Sequence, residues 1–147
     1  MIREDFLLRL IRQLLVQLLG SRAQREALAL DGALDALDAL GRRSLGLDGS
    51  LLARLPVPGL LSLFTGPDGL DVGKTASAGF LLLERGSLLA ARGQETEGEG
   101  LRTTGLALLD AALAASEGEL RTELEAARRA YEGRDDEARG SGPQRAR

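Results

Sequence analysis

The chain contains no cysteine, no histidine and no tryptophan among its 147 residues. Without thiols there is no disulfide framework, and oxidation state says nothing about compartment. Thiol nucleophiles, zinc sites of the usual Cys/His kind and histidine acid–base catalysis are excluded at the same time. The catalytic parts that remain are carboxylates, hydroxyls, arginines, Tyr131 and one lysine, Lys74. Aromatic residues make up 3% of the chain and the formal net charge is -3. Nucleic-acid binding ordinarily leaves a footprint of basic surface and stacking rings, so this balance argues against it. Valine occurs only at Val16, Val57 and Val72, and isoleucine at Ile2 and Ile11. A sheet of any size needs β-branched and aromatic side chains on its pleated surface, so none is expected. Long apolar runs are missing too. The stretch from Phe6 to Leu19 is broken by Arg9, Arg12, Gln13 and Gln17 and is too short to span a bilayer. Glu4 and Asp5 stand where a signal peptide would be basic. A cytoplasmic protein without membrane contact is expected.

Leucine, alanine, glutamate and arginine fill the space, and these are helix formers. The arginine-for-lysine bias, with abundant Ala and Gly, fits the codon usage of a GC-rich bacterial genome and has no functional weight. The length suits one domain with a real core. Residues 2–19 have the strongest helical pattern. Asp5, Arg9, Arg12, Gln13 and Gln17 form one polar stripe, and Phe6, Leu7, Leu10, Ile11, Leu14 and Leu18 lie on the rest of the cylinder. Such a wide apolar arc serves either a core helix or a dimerisation helix. A second helix is expected over 22–42, with Leu30, Leu34, Leu37 and Leu40 on one face. Asp31, Asp35 and Asp38 form an adjacent strip that can hold a cation in principle. Helical carboxylates without loop carbonyls rarely complete an oxygen cage, so a solvated face is the better reading.

Residues 44–69 mix Gly, Pro and Asp with leucine. This predicts an ordered connector with single-turn helices near 50–55 and 59–64. Asp71 is a natural N-cap for a third helix running to about Arg92, with Gly93 as its stop. A fourth helix follows over 95–116 and a fifth over 117–132. The final stretch, 133–147, is charged and nearly free of apolar side chains, which predicts a disordered polar tail. Residues 1–132 then form a single all-α domain.

One string invites a chemical reading. Gly69 to Ser77, GLDVGKTAS, resembles the phosphate loop Gly-x-x-x-x-Gly-Lys-[Ser/Thr]. Counting back from Gly73, however, the first loop glycine falls on Asp68, and Gly69 is one residue too close. Asp71 places a negative charge inside the loop, and Gly66-Pro67-Asp68 interrupts the strand that ought to precede it. LALLD, Leu106 to Asp110, imitates the apolar strand that ends in a magnesium-binding aspartate, yet its surroundings have helical period. A nucleotide site at Gly69–Thr75 is therefore a remote alternative, with Lys74 read as a surface residue of a first helical turn. No catalytic, cofactor-binding or metal-binding residue is assigned.

Small residues fall at Gly86, Gly93, Gly98 and Gly105 within LLLERGSLLAARGQETEGEGLRTTGLALL. Spacings of seven, five and seven resemble the tetratricopeptide repeat, whose small positions let paired helices approach and whose turn carries a glycine. Leu82, Leu89 and Leu108 fall where that repeat places large apolar residues. Arg85 and Arg102 depart from it, and no complete second repeat follows about 34 residues on. The whole chain, through MIREDFLLRLI at its start and GLDVGK before the hairpin, also resembles a small uncharacterised bacterial family, a domain of unknown function. That resemblance implies an architecture and supplies no catalytic residues. The expectation is an all-α bundle with a tetratricopeptide-like antiparallel hairpin, acting as a non-enzymatic interaction module for an unidentified protein partner. The alternative is a structural homo-oligomer assembled through residues 2–19.

Overall fold

The computed structural model describes residues 30–140. The helix expected over 2–19 and residues 22–29 of the second lie outside this range. The described chain is all-α: α1 (Leu30–Leu45), α2 (Gly49–Arg54), α3 (Val57–Leu63), a two-residue hairpin of β1 (Thr65–Gly66) and β2 (Gly69–Leu70), then α4 (Val72–Ala91), α5 (Glu95–Ala115) and α6 (Gly118–Gly140). The connector holds two short helices as expected. The only sheet among the described residues is the antiparallel pair Thr65↔Leu70 and Gly66↔Gly69.

Helix α4 is the axis of the domain. Every residue from Thr75 to Glu84 is buried, as a helix apolar on nearly all sides requires. Three sides can be assigned from contacts. Helix α1 runs antiparallel to it: Asp38 meets Arg85, and Gly41 lies opposite Leu81. Leu34, Leu37 and Leu40 supply the buried face of α1. Helices α2 and α3 contribute Leu52 and Leu60, both fully buried, and Phe64 closes the connector onto the same core. Pro56 and Pro58 sit at the start of α3, where a missing N–H costs nothing and the fixed φ favours the turn.

Helix α5 takes the remaining side and approaches to backbone contact. A Cβ built on Gly86 would lie 2.5 Å from the carbonyl oxygen of Gly98, and one on Gly98 would lie 2.5 Å from that of Gly86. One step along, a Cβ on Gly105 would lie 2.7 Å from the Gly79 carbonyl, and one on Gly79 would lie 3.0 Å from that of Gly105. Both pairs are centred on Arg92, so the two glycine pairs face each other across an antiparallel hairpin. The turn is closed by Gly93 at φ 95°, with its N–H donating to the Ala90 carbonyl at 3.0 Å and Gln94 N–H to that of Leu89 at 2.9 Å. This is the positive-φ stop typical of glycine after a helix.

Helix α6 crosses the hairpin through Leu120, Leu124 and Tyr131, which are buried, and Ala127, which is partly so. It continues to Gly140, into the stretch 133–147 that composition marks as a disordered tail. The departure has a physical reason. Once a docked segment has nucleated a helix, good formers such as Arg134, Glu137 and Ala138 extend it without any apolar face. Helix α1 likewise extends past 42 to Leu45, where Gly46 at φ 74° ends it.

Substitutions at four positions test this packing. Gly98→Leu and Gly105→Leu force the hairpin apart and should each destabilise by at least about 1–3 kcal/mol in chemical denaturation. Gly100 has open space around its missing Cβ, so Gly100→Ala should stabilise by about 0.4–1 kcal/mol. The hydroxyl of Ser77 is fully buried in α4 with no hydrogen-bond partner among the described residues. Removing an unsatisfied buried polar group in a helix should help, so Ser77→Ala is expected to raise stability by about 1 kcal/mol.

Candidate functional site

The Gly-Lys-Thr string forms the start of α4. Asp71 is its N-cap, with the carboxylate accepting from the Lys74 N–H at 3.1 Å. The Thr75 hydroxyl donates back to the Asp71 carbonyl at 2.7 Å. The chain reaches this point through the β1–β2 hairpin, whose turn residues are Pro67 and Asp68, with Gly69 at φ 101°. A phosphate loop differs in each respect: it leaves a buried parallel strand and turns free amides toward the anion. Here an aspartate already occupies one of those amides. The hollow beside it, about 520 Å³ and lined by residues including Phe64, Pro67, Asp68, Leu70 and Lys74, carries two aspartates against one lysine if Asp71 is counted with Asp68. Leu106 to Asp110 lies inside α5, so the strand imitation is helical.

A larger groove lies near the closed end of the α4–α5 hairpin. Its volume is about 920 Å³, and it runs along Gly86, Ser87, Ala90 and Ala91 on α4. On α5 it is bounded by residues that include Glu95, Glu99, Arg102 and Thr103. Its depth follows from the sequence. Gly86 and Gly98 bring the helices together at the floor, and the alanines leave the α4 wall low. Ala90, Ala91, Glu95, Glu99 and Thr103 are exposed, so the groove opens to solvent along its length.

The groove shares a face with the seat of α6. On α4, Phe80, Glu84, Ser87 and Ala91 follow one another at three- and four-residue spacing, hence on one stripe. On α5 the matching stripe is Glu99, Thr103, Leu106 and Asp110. Helix α6 occupies the far part of this face. The Tyr131 ring lies 5.8 Å from that of Phe80 at an interplanar angle of 52°, and its hydroxyl donates to Glu84. Arg128 pairs with Asp110 and, at 2.9 Å, with Glu132. Asp110 first, then Glu132, raise the Arg128 guanidinium above its ordinary pKa, so its charge is fixed at any working pH. No family model matches this chain, and no curated protein or solved structure matches it either.

The residues singled out from sequence fall as follows. Gly86, Gly98 and Gly105 meet at the hairpin contact, Gly93 makes its turn, and Lys74 is exposed. Gly79, the fourth member of the contact, was missed, although it stands seven residues before Gly86 just as Gly98 stands seven before Gly105. Arg85, which departs from the repeat pattern, is held by Asp38 at 2.6 Å, with side-chain exposures of 15% and 22%. Gly49 sits against this pair with no room for a Cβ, so the start of α2 packs directly on the ion pair. Asp38 is therefore committed to an ion pair with Arg85. Among the described residues no three carboxylates converge as metal ligands would. The pairing of Glu84 with Tyr131 carries no sequence signal, because the two residues meet only in the tertiary structure.

Asp71→Ala should cost about 0.5–2 kcal/mol through the lost cap. Lys74→Ala should change stability by less than about 0.5 kcal/mol. Thermal melts of the two variants and the parent chain measure both effects. ATP with magnesium should leave the parent melting temperature unmoved, since a ligand of the native state must raise it.

Proposed function

We propose that this chain is a non-enzymatic protein–protein interaction module, an adaptor or an assembly subunit. In this reading the groove along the closed half of the α4–α5 hairpin receives a polypeptide segment of its partner. The observation that carries the reading is the groove itself, an open channel of about 920 Å³ on a hairpin whose backbones touch. A rigid floor of this kind loses little entropy on binding, which favours recognition by a preformed surface. The lining supports a peptide as occupant. Ser87 and Thr96 offer hydroxyls to a main chain, and Glu95, Glu99 and Arg102 supply charges of both signs at the wall. Tetratricopeptide hairpins present grooves to peptides in a comparable way, an analogy of architecture that does not identify the partner.

Site-specific photocrosslinking tests the reading. A benzophenone amino acid at Ala91 places the reactive group in the groove, and the same group at Leu63, 52% exposed at the end of α3, places it elsewhere. In cells that naturally make the protein, the Ala91 position should form a discrete adduct with one other protein, and the Leu63 position should not. An adduct with a second copy of this chain would favour the homo-oligomer instead. Equal, diffuse labelling from both positions would remove the groove from consideration.

A further inference from the structure

We infer that α6 is a releasable strap: it leaves its seat as one unit while the α4–α5 hairpin stays folded, and its departure joins the seat to the groove in a single trough. The first support is the contrast between the two helix contacts. Helices α4 and α5 meet backbone to backbone at two glycine pairs, with Leu82, Leu83, Leu101, Leu108 and Leu109 buried around them. Among the described residues α6 is attached by far less. Its buried side chains are Leu120, Leu124 and Tyr131, and the sequence of α6 after Tyr131 offers no apolar side chain larger than Ala138.

The second support is the polar character of what remains. Arg128 is anchored to an exposed carboxylate on α5, Asp110, and to its own helix through Glu132. Tyr131 binds Glu84, which is 1% exposed, so this tie ends on a buried carboxylate. A buried carboxylate contributes little net stability even when hydrogen-bonded, so the tie holds α6 less firmly than apolar packing would. A contact of few apolar side chains and several polar ones is where sub-global opening is expected.

The third support is continuity. Phe80 and Glu84 under α6 lie on the same stripe of α4 as Ser87 and Ala91 in the groove. Asp110 under α6 lies on the same stripe of α5 as Glu99 and Thr103. The groove is thus the uncovered end of a trough whose other end α6 fills. The hinge is the short link of Ser116 and Glu117 before α6. There the Ser116 hydroxyl donates to the Leu113 carbonyl at 3.0 Å, and Gly118 adopts φ 60°.

Native-state hydrogen exchange on the full chain, in increasing sub-denaturing urea, tests this directly. Amides of α6 between Leu120 and Tyr131 should exchange together, through an opening that precedes global unfolding, while those of α4 between Ala76 and Leu83 exchange only with the whole domain. Tyr131→Phe removes the hydroxyl but keeps the ring, and should speed α6 exchange about tenfold or more relative to α4. Leu124→Ala should act in the same direction, with α4 protection changed less. If α6 and α4 share one exchange isotherm in the parent chain, or if both variants speed α4 as much as α6, the strap does not open independently and the inference fails.

Discussion

The domain depends on the contact between the backbones of α4 and α5 at Gly79 with Gly105 and Gly86 with Gly98. Glycine in a helix interior costs roughly 1 kcal/mol relative to alanine. Four of them in one hairpin are tolerable only because their missing side chains allow the helices to touch. The close approach then brings the surrounding leucines into a dense core and sets the floor of the groove. Any side chain at these positions would have to move a carbonyl of the facing helix, and a carbonyl already bonded within its own helix has little freedom to give.

With that hairpin fixed, the other elements can be understood as cover for a helix too apolar to leave exposed. Helix α1 covers one side of α4 and seats the Asp38–Arg85 ion pair. The Pro-rich connector covers another with Leu52, Leu60 and Phe64. Helix α6 covers the Phe80 and Glu84 end of a third stripe and leaves the Ser87 and Ala91 end as the groove. These covers are unequally tight. The glycine contact is rigid, whereas α6 rests on a few apolar side chains with polar ties at Glu84 and Asp110.

The string at Gly69–Ser77 shows how local context decides the meaning of a motif. Gly73, Lys74 and Thr75 are the residues a phosphate loop requires, yet Asp71 fills the place of the anion by capping the Lys74 amide. A two-residue antiparallel hairpin stands where a buried strand would be needed. The same residues therefore start a helix. The groove has no motif in the sequence, because a surface made of glycine, alanine and threonine has no chemical signature until two helices are placed side by side.

Helical class, the short connector helices, the Asp71 cap and the glycine turn at Gly93 were all determined by the sequence alone. Each rests on local physics: the scarcity of β-branched residues, the φ locked by proline, a carboxylate three residues before an amide, and the positive φ open to glycine. The inward direction of Gly98 and Gly105, as opposed to Gly100, was legible as well, because their seven-residue spacing places them on one helical face. Tertiary structure alone decided that Gly79 completes the contact, that Asp38 pairs with Arg85, and that Tyr131 reaches Glu84 from a helix distant in sequence. These outcomes depend on which surfaces meet, and the energies of burial and pairing that select them exist only once the helices are in contact.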